Sequence, residues 1–350
     1  MEPLVSIMIP TYNMPQIFAE TMASAAAQTW SKLEIIVCDN STNDDTEELM
    51  KQYAHDKRVR YVRNKEAKTK AENFRPFENL AQGEYLQWLM HDDILLPDKV
   101  EKMARMLIKH PEVTLVTSQR GLIDGDGNIL REHKMRVKLP ITGKEYGLFA
   151  GEEVGRAMLY GANIVGEPSA ALFRRKDLVN HYWNAEVRGY KVISDVVMWL
   201  ELMEKGDLIV FKEPLSYYRR HSAQEGQRGD VLLLSRLEWF SLLTEYYERG
   251  VFLHSLADYA EHFKEFLAEE KGAFSTLKEQ VPPKLWELYQ TGLEQIKLLV
   301  TTKTVGRCPT PRQGAAPLVG VCGQRPHGFY ELVPFTTVRM GKGMSMPSLR

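Results

Sequence analysis

Two adjacent carboxylates, Asp92 and Asp93, close the apolar run Tyr85-Leu86-Gln87-Trp88-Leu89-Met90. Residues 85–90 read as a strand buried on both faces, and Pro97-Asp98 signals a helix start just beyond the acids. In an open α/β sheet the carboxyl ends of the strands form the rim where ligands bind. Two acids set there suit a divalent cation bridging to phosphate oxygens. They would serve equally as an acidic turn capping the next helix. Two further loops carry polar groups directly after apolar strands: Thr11-Tyr12-Asn13 and Asp39-Asn40-Ser41. A parallel sheet would bring all three loops to one rim, where they offer partners for a base, a ribose and a diphosphate. No G-x-G-x-x-G follows the first strand and no G-x-x-x-x-G-K-[ST] occurs, which argues against dinucleotide oxidoreductases and P-loop enzymes.

The elements that must position these groups alternate. Strands are predicted at 4–9 (halted by Pro10), 33–38, 59–62, 85–90 and 113–118. Helices are predicted from Pro15 to about 28, from Asn43 or Asp44, over about 70–82 with Gly83 as C-cap, and over about 98–109. This spacing predicts an α/β fold with a mainly parallel, doubly wound sheet flanked by helices. Asp124-Gly125-Asp126-Gly127-Asn128 reads as a hairpin turn leading to Ile129-Leu130. Residues 131–150 read as a basic, irregular loop, 151–160 as a short helix and 170–173 as a strand. Ser194-Asp195 opens another helix, where Asp195 on its own would pass for an N-cap. A strand at 208–211 and the stretch 213–221 complete the region, and His221 beside two arginines would pass for a surface histidine.

Composition bounds the partners. The chain has 350 residues and a formal net charge of −1, so no basic field speaks for nucleic acid or membrane. Cys38, Cys308 and Cys322 show neither metal-ligand nor disulfide spacing, which fits a reducing cytoplasm. No stretch approaches the roughly 18 apolar residues that span a bilayer, leaving at most a peripheral contact at the inner face of a membrane. Residues 231–300 have a helical period, with Leu232, Leu233, Leu237, Phe240 and Leu243 on an apolar stripe. That stripe would pack on the preceding domain or form a homodimer surface. The last 50 residues hold 13 Pro or Gly against 28 in the preceding 300. They read as a disordered tail, foreign to the fold. The expected division is 1–230 (nucleotide part to about 118, acceptor part 119–230), a helical region 231–300 and a tail 301–350.

Val5-Ser6-Ile7-Met8-Ile9-Pro10-Thr11-Tyr12-Asn13 closely resembles the opening of family 2 glycosyltransferases of the GT-A fold. The likeness continues through Ala27-Gln28-Thr29-Trp30, Leu33 to Thr42, Gly83-Glu84-Tyr85, Leu89 to Asp93, Glu167-Pro168-Ser169 and Pro214 to His221, covering about residues 4–225. The resemblance implies inverting transfer of a sugar from a nucleotide diphosphate donor, UDP- or dTDP-sugar, to a hydroxyl acceptor, a glycan. It implies a nucleotide site at Pro10, Thr11, Tyr12, Asn13, Asp39, Asn40, Asn73 and Asp92, with Asp39 accepting from the base. It implies Mn²⁺ or Mg²⁺ held by Asp92, Asp93 and His221, and Asp195 as general base. Two positions depart from the family pattern: Met90 stands where an acid often opens the metal motif, and Ser194 where an acid often precedes the base.

Overall fold

A computed structural model describes residues 2–130, 141–143, 145–161, 163–178, 189–221, 228–273, 278, 281–287 and 289–294. In chain order the first elements are β1 (Val5–Thr11), α1 (Pro15–Ala26), β2 (Leu33–Asp39), α2 (Asp45–Met50), β3 (Val59–Arg63), α3 (Lys70–Phe74), α4 (Phe77–Leu80) and β4 (Tyr85–Trp88). Then come β5 (Ile94–Leu95), α5 (Lys99–Lys109), β6 (Val113–Ile123), β7 (Tyr146–Phe149), α6 (Gly151–Met158), β8 (Leu172–Arg174), α7 (Ser194–Met203) and β9 (Asp207–Arg219). Two long helices follow, α8 (Gly229–Arg249) and α9 (Leu256–Ala273). Contacts divide the described residues into two units: those of Met1–Met158 with Ala162–Gln224, and those of Leu159–Gly161 with Glu225–Arg350.

Every residue of β1 and β4 is buried, and every residue of β2 but Glu34. Strands buried on both faces need helices on both sides, and the side chains divide accordingly. Val5, Ile7 and Ile9 of β1 share one core with Leu33, Ile35 and Val37 of β2, Phe18 and Met22 of α1, and Val100, Met103 and Leu107 of α5. The spacing of those α5 positions is that of one helix face. On the other side Trp88 packs on Phe74 at 5.0 Å and Phe77 at 5.2 Å, while Phe173 of β8 meets Trp199 of α7 at 5.8 Å.

Strand order is β3-β2-β1-β4-β8-β6-β9-β5, with β7 also pairing β9. From β3 to β4 all pairs are parallel, as the alternation predicts. β8 then enters antiparallel between β4 and β6, and β9 lies parallel to β6. Two reversals restore direction, so β9 runs the same way as β4. Its carboxyl end therefore arrives at the same rim as the ends of β1, β2 and β4.

Four local departures from the expected elements have physical reasons. Pro10 does not halt β1: its register continues to Pro10↔Cys38 and Thr11↔Asp39 on β2. The carbonyl of Met8 accepts from Leu89 on the β4 side, so the missing N–H of Pro10, two residues on, faces where β4 has ended. The helix expected over 70–82 is split at Pro76, which cannot donate within a helix and instead begins α4. Gly83 is no helix cap. A Cβ there would sit 2.6 Å from the backbone nitrogen and the hydroxyl of Ser6, and its N–H donates to Ser6 Oγ at 2.8 Å and Glu34 Oε1 at 3.1 Å. The basic stretch 131–150 contains β7, although 131–140 lie outside the described residues.

In the second unit α8 ends at Gly250, in the left-handed conformation (φ 64°), whose N–H donates to Tyr247 O. Phe240 packs on Phe263 at 5.8 Å, and Thr244 and Tyr259 share a hydroxyl hydrogen bond of 3.0 Å. Leu232, expected on the buried stripe, is exposed. Among the described residues no helix is long and apolar enough to cross a membrane. The tail expected over 301–350 lies outside the described residues.

Gly83→Ala is expected to lower stability by about 2–3 kcal/mol, because the added methyl meets backbone that has nowhere to move. A urea-unfolding midpoint beside that of the native protein checks this.

Candidate active site

The parallel register sets Thr11, Asp39 and Arg63 side by side at the ends of β1, β2 and β3. Asp39 is fully buried and its carboxylate is engaged on several sides. Oδ1 accepts from the Ser41 N–H at 2.8 Å, and Oδ2 accepts from Tyr61 Oη at 2.7 Å and Arg63 Nη1 at 2.5 Å. Arg63 also donates to the Ser41 carbonyl at 2.8 Å, so it clasps the loop after β2. Burial and the bond to Asp39 push the Tyr61 phenol above its ordinary value. A base donating to Asp39 would join an acceptor already shared by three groups.

Asn13 adopts φ 49°, a conformation asparagine tolerates better than most residues. Its N–H donates to Ser41 Oγ at 2.8 Å and its Oδ1 accepts from Thr42 N at 2.8 Å, stitching the loop after β1 to the loop after β2. Asn73 is buried rather than on a helix surface, and its amide donates to the carbonyls of Cys38 at 3.0 Å and Thr11 at 3.5 Å. Thr11 Oγ1 and Asn73 Oδ1 are buried with no hydrogen-bond partner among the described residues. Pro10 is buried in β1, the Tyr12 N–H donates to His91 Nδ1 at 3.3 Å, and Asn40 Nδ2 donates to Ala67 O at 3.5 Å. Burial holds His91 below the usual histidine range, consistent with an unprotonated Nδ1. Below these loops, Cys38 is buried, and desolvation pushes its thiol up to about 12.

The two acids after β4 point in different directions. Asp92 Oδ2 lies 3.2 Å from His221 Nε2, and both side chains keep some solvent access. Asp93 is buried, and its Oδ1 accepts from the backbone N–H of Arg219 at 3.1 Å. Burial first, then the charges of Asp92 and Glu167, raise its carboxyl well above the usual range. Of the three expected metal ligands, Asp92 and His221 come together at the rim, while Asp93 turns inward to hold β9. Among the described residues no three His, Cys, Asp or Glu side chains form a ready metal cage. A carboxylate oxygen facing an imidazole nitrogen still suits Mn²⁺ or Mg²⁺ if phosphate oxygens and water complete the shell. The residues present fit such an ion in company with a diphosphate.

Asp195 stands in the first turn of α7, half-buried, and its Oδ2 accepts from Asn163 Nδ2 at 2.9 Å. The N-cap position belongs to Ile193. Desolvation raises the Asp195 carboxyl to about 6, against lowering by the Val196 N–H and by Lys70. Lys70 also acts on His91, and Glu167 acts on both Asp93 and Asp195, so the same two charges are felt in both parts of the site.

Sequence reasoning missed Tyr61, Arg63, Asn163 and the role of Arg219. For Arg63 a signal existed, since a residue at the end of β3 shares the rim by register. Asn163 has none, because its partner lies 32 positions away. Arg63→Met is expected to cost about 3–5 kcal/mol by leaving the buried Asp39 without its cation. Chemical denaturation, with circular dichroism to confirm the native fold, measures it.

Comparison with known proteins places this geometry in a family. An uncharacterised glycosyltransferase of Methanocaldococcus jannaschii is 35% identical over 136 residues, 38% of this chain and 47% of that protein. The chondroitin synthase of Escherichia coli is 30% identical over 158 residues, 45% of this chain and 21% of that protein. The chain thus spans less than half the length of either relative. The crystal structure of Staphylococcus aureus TarS 1–349 in complex with UDP-GlcNAc shares the fold at 13% identity, with a TM-score of 0.50 over 86% of this chain and 90% of that one. The family model described as Glycosyl transferase family 2 matches residues 6–181, half of the sequence, and the chain belongs to that family.

Proposed function

We propose that the protein transfers a glycosyl group, with inversion, from a nucleoside diphosphate donor to a hydroxyl of a glycan acceptor. The donor binds in the part up to about residue 118 and the acceptor in 119–230. One observation carries the reading: Asp92 and His221, 129 positions apart in sequence, meet with 3.2 Å between carboxylate oxygen and imidazole nitrogen beyond the ends of β4 and β9.

Thr11, Tyr12, Asn13, Asp39, Asn40 and Asn73 surround the nucleoside. The unpartnered Thr11 hydroxyl and Asn73 carbonyl oxygen supply polar contacts, and Asp39 offers its remaining acceptor position to a uracil or thymine N–H. Asp92 and His221 hold Mn²⁺ or Mg²⁺, with Asp93 positioning β9 beneath them. When bound, the ion neutralises charge on the departing diphosphate. Asp195 accepts the acceptor's hydroxyl proton as that oxygen bonds to the anomeric carbon and the bond from that carbon to the diphosphate breaks. A carboxyl raised to about 6 is still largely ionised at neutral pH and is a stronger base than an exposed aspartate.

Calorimetric titration of UDP, dTDP, GDP and CDP, each with Mn²⁺ or EDTA, is expected to show one nucleotide binding tightly only with metal. That binding should be lost in His221→Ala; equal binding in EDTA would refute the metal role. Asp195→Asn is expected to keep donor affinity and lower kcat by about 10²–10⁴-fold. Because only the ionised form accepts a proton, native kcat should fall tenfold per unit below a limb near pH 6 and level off above it. A pH–rate profile flat through that region would remove Asp195 from the role.

A further inference from the structure

We propose that Asn163 is the positioning residue for the Asp195 base: its amide holds one edge of the carboxylate and thereby aims the remaining lone pair at the acceptor. This rests on Asp195 being the base. The Asn163 amide is itself fixed. Its Oδ1 accepts from the Gly166 N–H at 2.8 Å, so the opposite atom must be the nitrogen. That nitrogen donates to Gly166 O at 3.1 Å and to Asp195 Oδ2 at 2.9 Å.

The turn that carries Asn163 is pinned from below. Gly166 has φ 103°, a conformation that favours glycine, and the Arg120 guanidinium lies against its Cα. The Trp199 indole on α7 donates to Gly166 O at 2.9 Å, and the Thr117 hydroxyl donates to Val165 O at 2.8 Å. Arg120 is buried against Glu167, with 2.6 Å between Nε and Oε1. The turn is therefore fastened to β6 and to the helix that carries Asp195, and Asn163 transmits that placement to the carboxylate.

The charges bearing on Asp195 are Lys70 from α3, which favours ionisation, and Glu167 from before β8, which opposes it and is paired with Arg120. Asn163 adds a neutral donor that favours the carboxylate form. Removing it should raise the Asp195 titration midpoint, by about one pH unit if the bond is ordinary for a charged acceptor.

The test is ¹³C NMR of protein labelled at the aspartate carboxyl carbon, with the Asp195 signal assigned by its absence in Asp195→Asn. In Asn163→Ala the midpoint should rise by about one unit, and the acidic limb of the kcat–pH profile should move with it. Asn163→Asp, nearly isosteric, should raise it further, because a second carboxylate replaces the donor; it serves if the alanine variant does not fold. A midpoint unchanged in a folded variant overturns the proposal while leaving the base reading intact. Near-normal turnover by Asp195→Asn overturns the base reading, and the positioning role with it.

Discussion

The guanidinium of Arg219 is the tie on which the rim beyond β4 and β9 depends. The residue is fully buried, and a buried cation is tolerated only where its donors are met. Nη2 reaches Glu20 of α1 at 2.6 Å, Nε reaches the carbonyl of Asp92 at 2.8 Å, and Nη1 reaches the carbonyls of Asp124 and Gly125 at 3.4 and 3.2 Å. Its own N–H holds Asp93. One residue thus fastens a helix, the acidic turn after β4 and the 124–128 hairpin turn to the end of β9. His221 stands two residues beyond that knot, so the Asp92–His221 approach is a consequence of it.

A second layer of buried charge lies around the Gly166 turn. Lys99 donates to the Ala170 carbonyl at 2.7 Å, and burial draws its ammonium down to about 7. Desolvation likewise lifts Glu167, opposed by Arg120. Such groups are poor contributors to stability, since their pairing does little more than offset lost hydration. Their value is geometric: they fix the Gly166 turn and the start of β8.

Much of this was legible in the sequence because it follows from local pattern. Buried strands 5–11, 33–39 and 85–88 announce themselves as mainly apolar runs, and each is followed by a polar loop. Where reading failed, the deciding contact was distant. Gly83 looks like a helix cap until Ser6 and Glu34 are seen against it, and Asp93 looks equivalent to Asp92 until Arg219, 126 positions away, claims it. The two acids lie in the turn after β4, closed by the Asp93 N–H on the Met90 carbonyl at 3.1 Å, where no strand alternation tells which carboxylate turns inward. The antiparallel entry of β8 is equally silent, since a three-residue buried strand carries no mark of its direction.

The condition of Cys38 gives the rim an internal chemical clock. The residue is fully buried in β2 with its carbonyl held by Asn73, and burial keeps its thiol almost wholly protonated at neutral pH. Thiolate is the form that alkylating agents and oxidants attack. Modification at this position must therefore wait for β2 to part from its neighbours, and its rate measures how often this edge of the sheet opens. A ligand that bridges the loops after β1 and β2 would slow that clock without touching the sulfur.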